Sequence, residues 1–259
     1  VSVSLSTGQT AGNTAGKTAA VIPARYQSTR FPGKPLANET GMTLIEHVVR
    51  QVQKAKTIDK VIVATDDQRI FDAVNAFGGE PVMTDVAHPN GTSRIAQAIE
   101  HLDSSFDIIA NVQGDEPEIE PEVIDQLVTG LRNDDTAPMA TLASPFADDE
   151  DPSDPNIVKL VLNQRGHAMY FSRSNIPFDR DKKGVTPWKH PGLYAYRRDF
   201  LLAYVQMPAS PLEQLEQLEQ LRALEHGYPI AVIKTVTRHH GIDTPQQYAE
   251  FVARCKANA

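Results

Sequence analysis

From residue 19 onward, apolar runs of strand length alternate with segments of helical periodicity, and this alternation limits the chain to few architectures. Residues 19–22 (AAVI) read as a first strand, 44–55 as a helix, 61–64 as a second strand and 70–77 as a second helix stopped by Gly78 and Gly79. SRIAQAIEHL follows as a helix, and DIIANV as a strand ending near Val112. Parallel strands need a long crossover, usually a helix, so the order predicts an α/β fold with a mostly parallel central sheet flanked by helices. After about residue 140 the rhythm changes. FADDEDPSDPN is a charged loop, and IVKLVLNQRGHAMYFSR reads as two extended segments around a turn at Arg165 and Gly166, a small antiparallel excursion. Leu212, Leu215, Leu218 and Leu221 then recur every third residue, as a core or dimer stripe on one broad helical face. PIAVIKTV is a last strand, and Thr244 and Pro245 mark the N-cap and first position of a terminal helix. The expected organisation is one domain over 19–259, with 141–210 as a smaller subdomain and the polar tract 1–18 as a disordered leader.

Charge narrows the partners. The chain carries 33 acidic against 25 basic residues, a net charge of -8, which argues against nucleic acid or an anionic membrane surface. No apolar run approaches the roughly 18 residues of a membrane span, so no membrane insertion is expected. The single cysteine, Cys255, excludes an intrachain disulfide and a multi-cysteine zinc site, and fits a reducing, cytoplasmic compartment. Against this acidic background, IPARYQSTRFPGKPL places Arg25, Arg30 and Lys34 in one loop with no carboxylate. Such a loop suits phosphate oxygens, with Gly33 permitting close backbone approach. Gly12, Gly16, Lys17 and Thr18 imitate a P-loop, but three residues separate the glycines where four are needed, and no strand precedes them.

Ligands of an open parallel sheet bind beyond the carboxyl ends of its strands. Four loops there are informative: the cationic loop, the loop with Asp66 and Asp67 after the second strand, QGDEP with Asp115 and Glu116, and RHHGIDTP with Asp243. A magnesium ion in phosphoryl transfer takes one or two carboxylates plus substrate phosphates, so Asp115 and Asp243 meeting from distant strand ends would be a suitable pair. Taken singly, Asp243 reads equally well as a turn or capping residue, and Glu116 as solvated. Asp66 and Asp67 read as the start of the next helix rather than as metal ligands. His239 and His240 are adjacent and do not share a face for chelation. There is no His-Glu-x-x-His, Gly-x-Ser-x-Gly or Gly-x-Gly-x-x-Gly, which weakens hydrolase and dehydrogenase readings.

IPARYQSTRFPGKPL, VATDD, NGTSR, NVQGDEP, YFSRSNIPFDRD, KHPGLYAYR, SPLEQLEQLEQLR and GIDTP occur in an order that resembles the 3-deoxy-manno-octulosonate cytidylyltransferase (CMP-Kdo synthetase) family. The resemblance runs from residue 19 to the C-terminus. It implies a nucleotide-diphospho-sugar transferase-like fold, CTP and Kdo as substrates, CMP-Kdo for lipopolysaccharide synthesis and pyrophosphate as products, Mg2+ as cofactor, and a homodimer formed through the 141–210 subdomain. It further implies that Arg25 and Lys34 contact the triphosphate, with Lys34 counted as catalytic. Gly91, Thr92, Arg94 and Gln113 would bind the nucleotide, and Asp115 and Asp243 would hold the metal. Arg173, His190, Tyr194, Glu219 and Gln220 would form the sugar-acid pocket. Read without the resemblance, His190 is a structural residue and Glu219 and Gln220 are solvated helix positions. Asn90 and Ser93 depart from the Ser and Glu usual in the family. The rival readings are transfer to another acidic sugar such as 8-amino-Kdo or a sialic acid, a glycosyltransferase on a similar sheet, and a catalytically silent nucleotide-binding module.

Overall fold

The structure is a computed structural model, and it describes residues 16–185, 187–237 and 241–258. Most of the leader, Gly12 of the P-loop look-alike, and the His239–His240 pair lie outside the described residues.

The first strand, β1 (Lys17–Ala24), shows how the sheet forms. Ala20, Ile22 and Ala24 face one core, Ala19 and Val21 the other, so its period-2 alternation buries apolar side chains on both faces. It opens two residues before the apolar run does. Lys17 pairs with Phe106, and Thr18 is satisfied by the side chains of Asp59 and Arg132, so the start is set by strand pairing and side-chain hydrogen bonds and not by hydrophobicity. Lys17 and Thr18 are therefore strand residues rather than part of a leader or a phosphate loop.

Around β1 stand β2 (Lys60–Thr65), β3 (Pro81–Met83) and β4 (Phe106–Asn111), followed across the sheet by β5 (Met139–Pro145) and β10 (Ile230–Lys234), with β9 (Tyr194–Arg197) between β4 and β5. Neighbouring pairs are parallel except those made by β9, which runs antiparallel to both β4 and β5. One face is covered by α1 (Leu44–Val52), α2 (Gln68–Ala76) and α4 (Pro121–Arg132); the other by α3 (Gly91–Ala98), α5 (Arg198–Tyr204) and α7 (Gln220–Glu225). The central sheet is mostly parallel and flanked by helices, as the alternation predicts.

The excursion is a smaller antiparallel sheet of β6 (Lys159–Leu162), β7 (Ala168–Ser172) and β8 (Trp188–Lys189), joined to the end of β5 through Ser144 and Pro145. Its hairpin turns at Gly166, which has a φ of 81°. The separate part is shorter than 141–210, because β9 and α5 belong to the main body.

The leucine repeat is not one helical face. α6 (Pro211–Glu216) stops where Gln217 takes a left-handed conformation, φ 54° and ψ 49°, and α7 starts afresh. Glu213 and Arg222 form a buried ion pair that ties the two short helices together. A three-residue step also falls short of the 3.6-residue turn, so successive leucines rotate away from any fixed face. Leu218 and Leu221 are buried, whereas Leu215 is 79% exposed.

Candidate active site

β1, β2, β4 and β10 all point the same way, so Ala24, Thr65, Asn111 and Lys234 end on one edge of the sheet and the loops beyond them converge. They bound a cleft of about 940 Å3. Gly33, at φ 73°, turns the cationic loop back on itself, with its N–H donating to the Tyr26 carbonyl at 2.9 Å. Gly114 lets the loop after β4 close in: a Cβ there would stand 2.9 Å from the Pro23 carbonyl oxygen.

At the centre is Lys34. Its Nζ donates to Asp115 Oδ2 at 2.8 Å and to the Ile242 carbonyl at 2.6 Å, and reaches Asp243 Oδ1 at 3.4 Å. Arg30 Nη2 lies 3.1 Å from the other Asp243 oxygen. The Ile242 N–H donates to the Asp115 carbonyl at 2.8 Å, so the two acidic loops are also joined through backbone. Two carboxylates from distant strand ends thus share one ammonium, beside Arg25, Arg30 and Arg69 along the cleft.

This donor set suits a hard divalent cation. Among the described residues no three His, Cys, Asp or Glu side chains cluster as metal ligands. The protein would therefore contribute the Asp115 and Asp243 carboxylates, and phosphate oxygens the rest, as in Mg2+ sites that travel with a nucleotide.

On the opposite wall, Asn90 caps α3, its Oδ1 accepting from Ser93 N at 2.9 Å. The departure from the family's Ser and Glu is explained here. Ser-x-x-Glu is a capping box, and Asn is an equally good N-cap, so the cap survives while the reciprocal glutamate bond does not. Ser93 Oγ instead donates to the Asn90 carbonyl at 3.1 Å. Gly91 packs on Pro23 and lines the cleft. Thr92 Oγ1 donates to Glu219 Oε2 at 2.8 Å. Arg94 lines the cleft too, but its guanidinium is held by Asp66 at 2.6 Å and by Thr84. Asp67 caps α2 by accepting from Arg69 N. Asp67 thus starts the helix as expected, whereas Asp66 is a counter-ion to Arg94. Gln113 lines the cleft, Nε2 donating to the Gly192 carbonyl at 3.2 Å.

The residues expected around the sugar acid are brought to the cleft only in part. Glu219 lines it, and burial raises its carboxyl pKa against the opposing pull of the Thr92 hydrogen bond. Arg173 is not in the lining; its guanidinium donates to the carbonyls of Glu216, Pro155 and Gln217, anchoring the break between α6 and α7. Gln220 is buried at the start of α7. His190 Nε2 is 2.9 Å from Thr141 Oγ1, and its ring lies against Phe171 and Tyr194 at 4.9 and 5.4 Å. Burial lowers its pKa to about 3, and burial pushes the Tyr194 phenol well above its ordinary range, so both are neutral at pH 7. The unfolded state therefore takes up a proton at His190 between pH 6.5 and about 3 that the folded state refuses. Stability from this residue is whole above pH 6.5 and is lost on acidification, by up to about 1.4 kcal/mol per pH unit. Unfolding free energies measured at pH 6.5 and 4.5 should differ less in His190→Gln than in the parent.

Two cleft residues escaped the sequence reading. The Arg69 guanidinium stacks on Tyr26, its carbon 3.3 Å from the ring centroid, and Asp67 holds its other edge. His88 faces the cleft with Nε2 2.7 Å from Gln97 Oε1. Both stand just beyond strands on the binding edge, which is the one signal that could have flagged them.

A cationic loop facing paired carboxylates at the carboxyl edge of such a sheet defines a nucleotidyltransferase, and the family described as cytidylyltransferase matches residues 19–235. The 3-deoxy-manno-octulosonate cytidylyltransferase of Syntrophotalea carbinolica is 48% identical, covering 92% of this chain and 98% of its own. That of Geobacter metallireducens is 46% identical over 91% and 96%. A solved CMP:2-keto-3-deoxy-manno-octonic acid synthetase complexed with CTP superposes with a TM-score of 0.89 at 41% identity, over 94% of this chain and all of that one. The inositol-1-phosphate CTP transferase of T. maritima, at 12% identity and a TM-score of 0.65, shares the fold. The chain belongs to the 3-deoxy-manno-octulosonate cytidylyltransferase family.

Proposed function

We propose that this chain transfers the cytidylyl group of CTP to Kdo, giving CMP-Kdo and pyrophosphate in a Mg2+-dependent reaction. The observation that carries the reading is the meeting of Asp115 and Asp243 at the Lys34 ammonium. Asp115 and Asp243 would hold the metal, which when bound neutralises phosphate charge and lowers the pKa of a coordinated hydroxyl. Arg25, Arg30 and Lys34 would bind and align the triphosphate, drawing charge toward the departing pyrophosphate. Gly91, Arg94 and Gln113, with the buried Thr92 behind them, form the wall proposed for the nucleoside. The anomeric oxygen of Kdo forms its bond to the α-phosphorus as the bond to the β-phosphate oxygen breaks, and the hydroxyl proton passes to solvent. Glu219, held by Thr92 on that wall, is the sugar-side contact the geometry supports best; Arg173, His190, Tyr194 and Gln220 are proposed to complete or support the pocket.

A pyrophosphate-release assay with CTP, Mg2+ and Kdo, run beside other nucleotides and sugar acids, tests the assignment. Release should require CTP and be fastest with Kdo. Faster turnover with a sialic acid or 8-amino-Kdo would reassign the acceptor. CTP binding without release would leave a silent module, and consumption of a sugar nucleotide would indicate a glycosyltransferase.

We also propose a homodimer through the excursion. Met169, Phe178 and Val185 in that segment are all more than half exposed, and apolar surface of this kind favours a second copy. Light scattering should give twice the chain mass. No helix among the described residues is long and apolar enough to cross a membrane. We propose a cytoplasmic setting on the chemistry of the lone Cys255, a free thiol that suits a reducing compartment.

A further inference from the structure

The cytidylyltransferase family match ends at residue 235, before Asp243 and the last helix, α8 (Pro245–Ala257). We infer that α8 is a positioning element of the active site and that Gln247 is the residue through which it aims the Asp243 carboxylate. The inference rests on the reading of Asp243 as a metal ligand.

Three observations carry it. First, Asp243 directly precedes the Thr244 N-cap, and its backbone is clamped from the first turn. Gln247 Oε1 accepts from Asp243 N at 2.8 Å and from Thr244 N at 3.0 Å, while Thr244 Oγ1 accepts from Gln247 N at 3.2 Å. This is a capping box extended by one residue, and the extra bond falls on the aspartate. Second, α8 does not pack into either core that flanks the sheet. It makes a third, with Tyr248, Phe251 and Val252 around Leu44 and Ile242. Third, this small core is fastened to the cationic loop and its surroundings. Phe31 packs against Tyr248 with ring centroids 5.7 Å apart, and the Tyr248 hydroxyl accepts from Glu39 N at 2.9 Å. The Phe251 ring meets His47 edge-on at 5.0 Å. The helix that begins just after Asp243 is thereby referenced to the loop bearing Arg30 and Lys34, the groups that touch the same carboxylate.

The carboxylate itself is 42% exposed and cannot be held by packing. Its orientation must come from its backbone and its ion partners. A partner that fixes a ligand from behind is commonly worth 10- to 100-fold in metal affinity or activity, and small displacements near the reacting groups are costly.

The test uses Gln247→Ala, Gln247→Glu and Asp243→Asn in the full chain. Two readouts are taken: steady-state kinetics, and Mn2+ binding by the protein in the presence of CTP without sugar acid, followed by the electron paramagnetic resonance of free Mn2+. Gln247 is exposed, so Gln247→Ala is expected to keep its thermal midpoint within a few degrees. In that variant the Mn2+ midpoint should rise roughly 10-fold and kcat fall roughly 10-fold, with KM for CTP within about threefold. Gln247→Glu, which can rebuild the capping box, should restore both. If Asp243→Asn loses Mn2+ binding while Gln247→Ala matches the parent, the positioning role is overturned and the metal reading stands. If Gln247→Ala and Gln247→Glu are impaired alike, the capping geometry is not what aims the carboxylate, and the inference fails. If Asp243→Asn itself binds Mn2+ and turns over normally, the metal reading and the inference fall together.

Discussion

Asp115→Asn and Asp243→Asn should each lower pyrophosphate release by roughly 10^3-fold while leaving CTP affinity within a few-fold of the parent. Both changes keep size and shape and remove one negative charge. In the proposed reaction the lost charge serves to hold a divalent cation against the transferring phosphate. It is not needed to bind the triphosphate, whose proposed partners are Arg25, Arg30 and Lys34. Binding of CTP can even tighten, because Lys34 currently divides itself between the two carboxylates and the Ile242 carbonyl. Losing one carboxylate frees part of that ammonium for phosphate. Parallel measurement of kcat and of CTP binding by calorimetry separates the two effects. Near-parental turnover in both variants would remove the metal assignment, and a loss confined to CTP affinity would recast the acids as loop-ordering groups.

The second large effect is on stability. Lys159→Met should lower unfolding stability by about 3–5 kcal/mol and the thermal midpoint by roughly 10 °C. Lys159 is fully buried on β6, and its Nζ donates to the carbonyls of Asp154, Ile157 and Arg173 at 2.9, 2.8 and 2.5 Å. One ammonium thus closes the charged loop onto the hairpin, and burial lowers its pKa. Methionine fills similar volume but withdraws the ammonium from three half-buried carbonyls, and although the Asp154 carbonyl keeps the Ile157 N–H, those of Ile157 and Arg173 lose their donor, at about 1–3 kcal/mol each. The damage should concentrate in the excursion, whose neighbouring strand end carries His190, with its N–H on the Val158 carbonyl at 2.8 Å. Calorimetry measures the shift, and amide exchange locates it. A variant melting within 2 °C of the parent would show that water satisfies those carbonyls.

Much of this molecule was legible before any coordinates. The alternation in β1 and the crossover-length helices specify a mostly parallel sheet, and Gly166 marks the hairpin turn. The cationic loop suggests an anion by composition alone; that Arg30 and Lys34 also find counter-ions in Asp115 and Asp243 is visible only in the fold. The motif order pointed to the family, and with it to a set of expected site residues. The sugar-side set was less legible. Arg173 looks like a cation for the sugar acid in the sequence, yet its guanidinium donates to the carbonyls of Glu216 and Gln217 at the end of α6 and of Pro155 in the charged loop, and which partner a guanidinium finds depends on contacts from distant segments. The leucine repeat failed for a local reason: a three-residue step does not follow a 3.6-residue turn, and the left-handed Gln217 divides it.

What the sequence determined by itself was therefore local and periodic: which segments are strands or helices, where turns fall, and which loops carry charge. The tertiary structure decided the convergence. That Asp115 and Asp243 meet at Lys34, that Asp66 neutralises Arg94, and that α8 is clamped behind Asp243 all follow from strand order and from packing of segments far apart in the chain. The physical reason is range. Backbone preference and hydrophobic period act over a few residues, whereas an ion pair or a ligand set needs absolute positions, and only the closed fold supplies them.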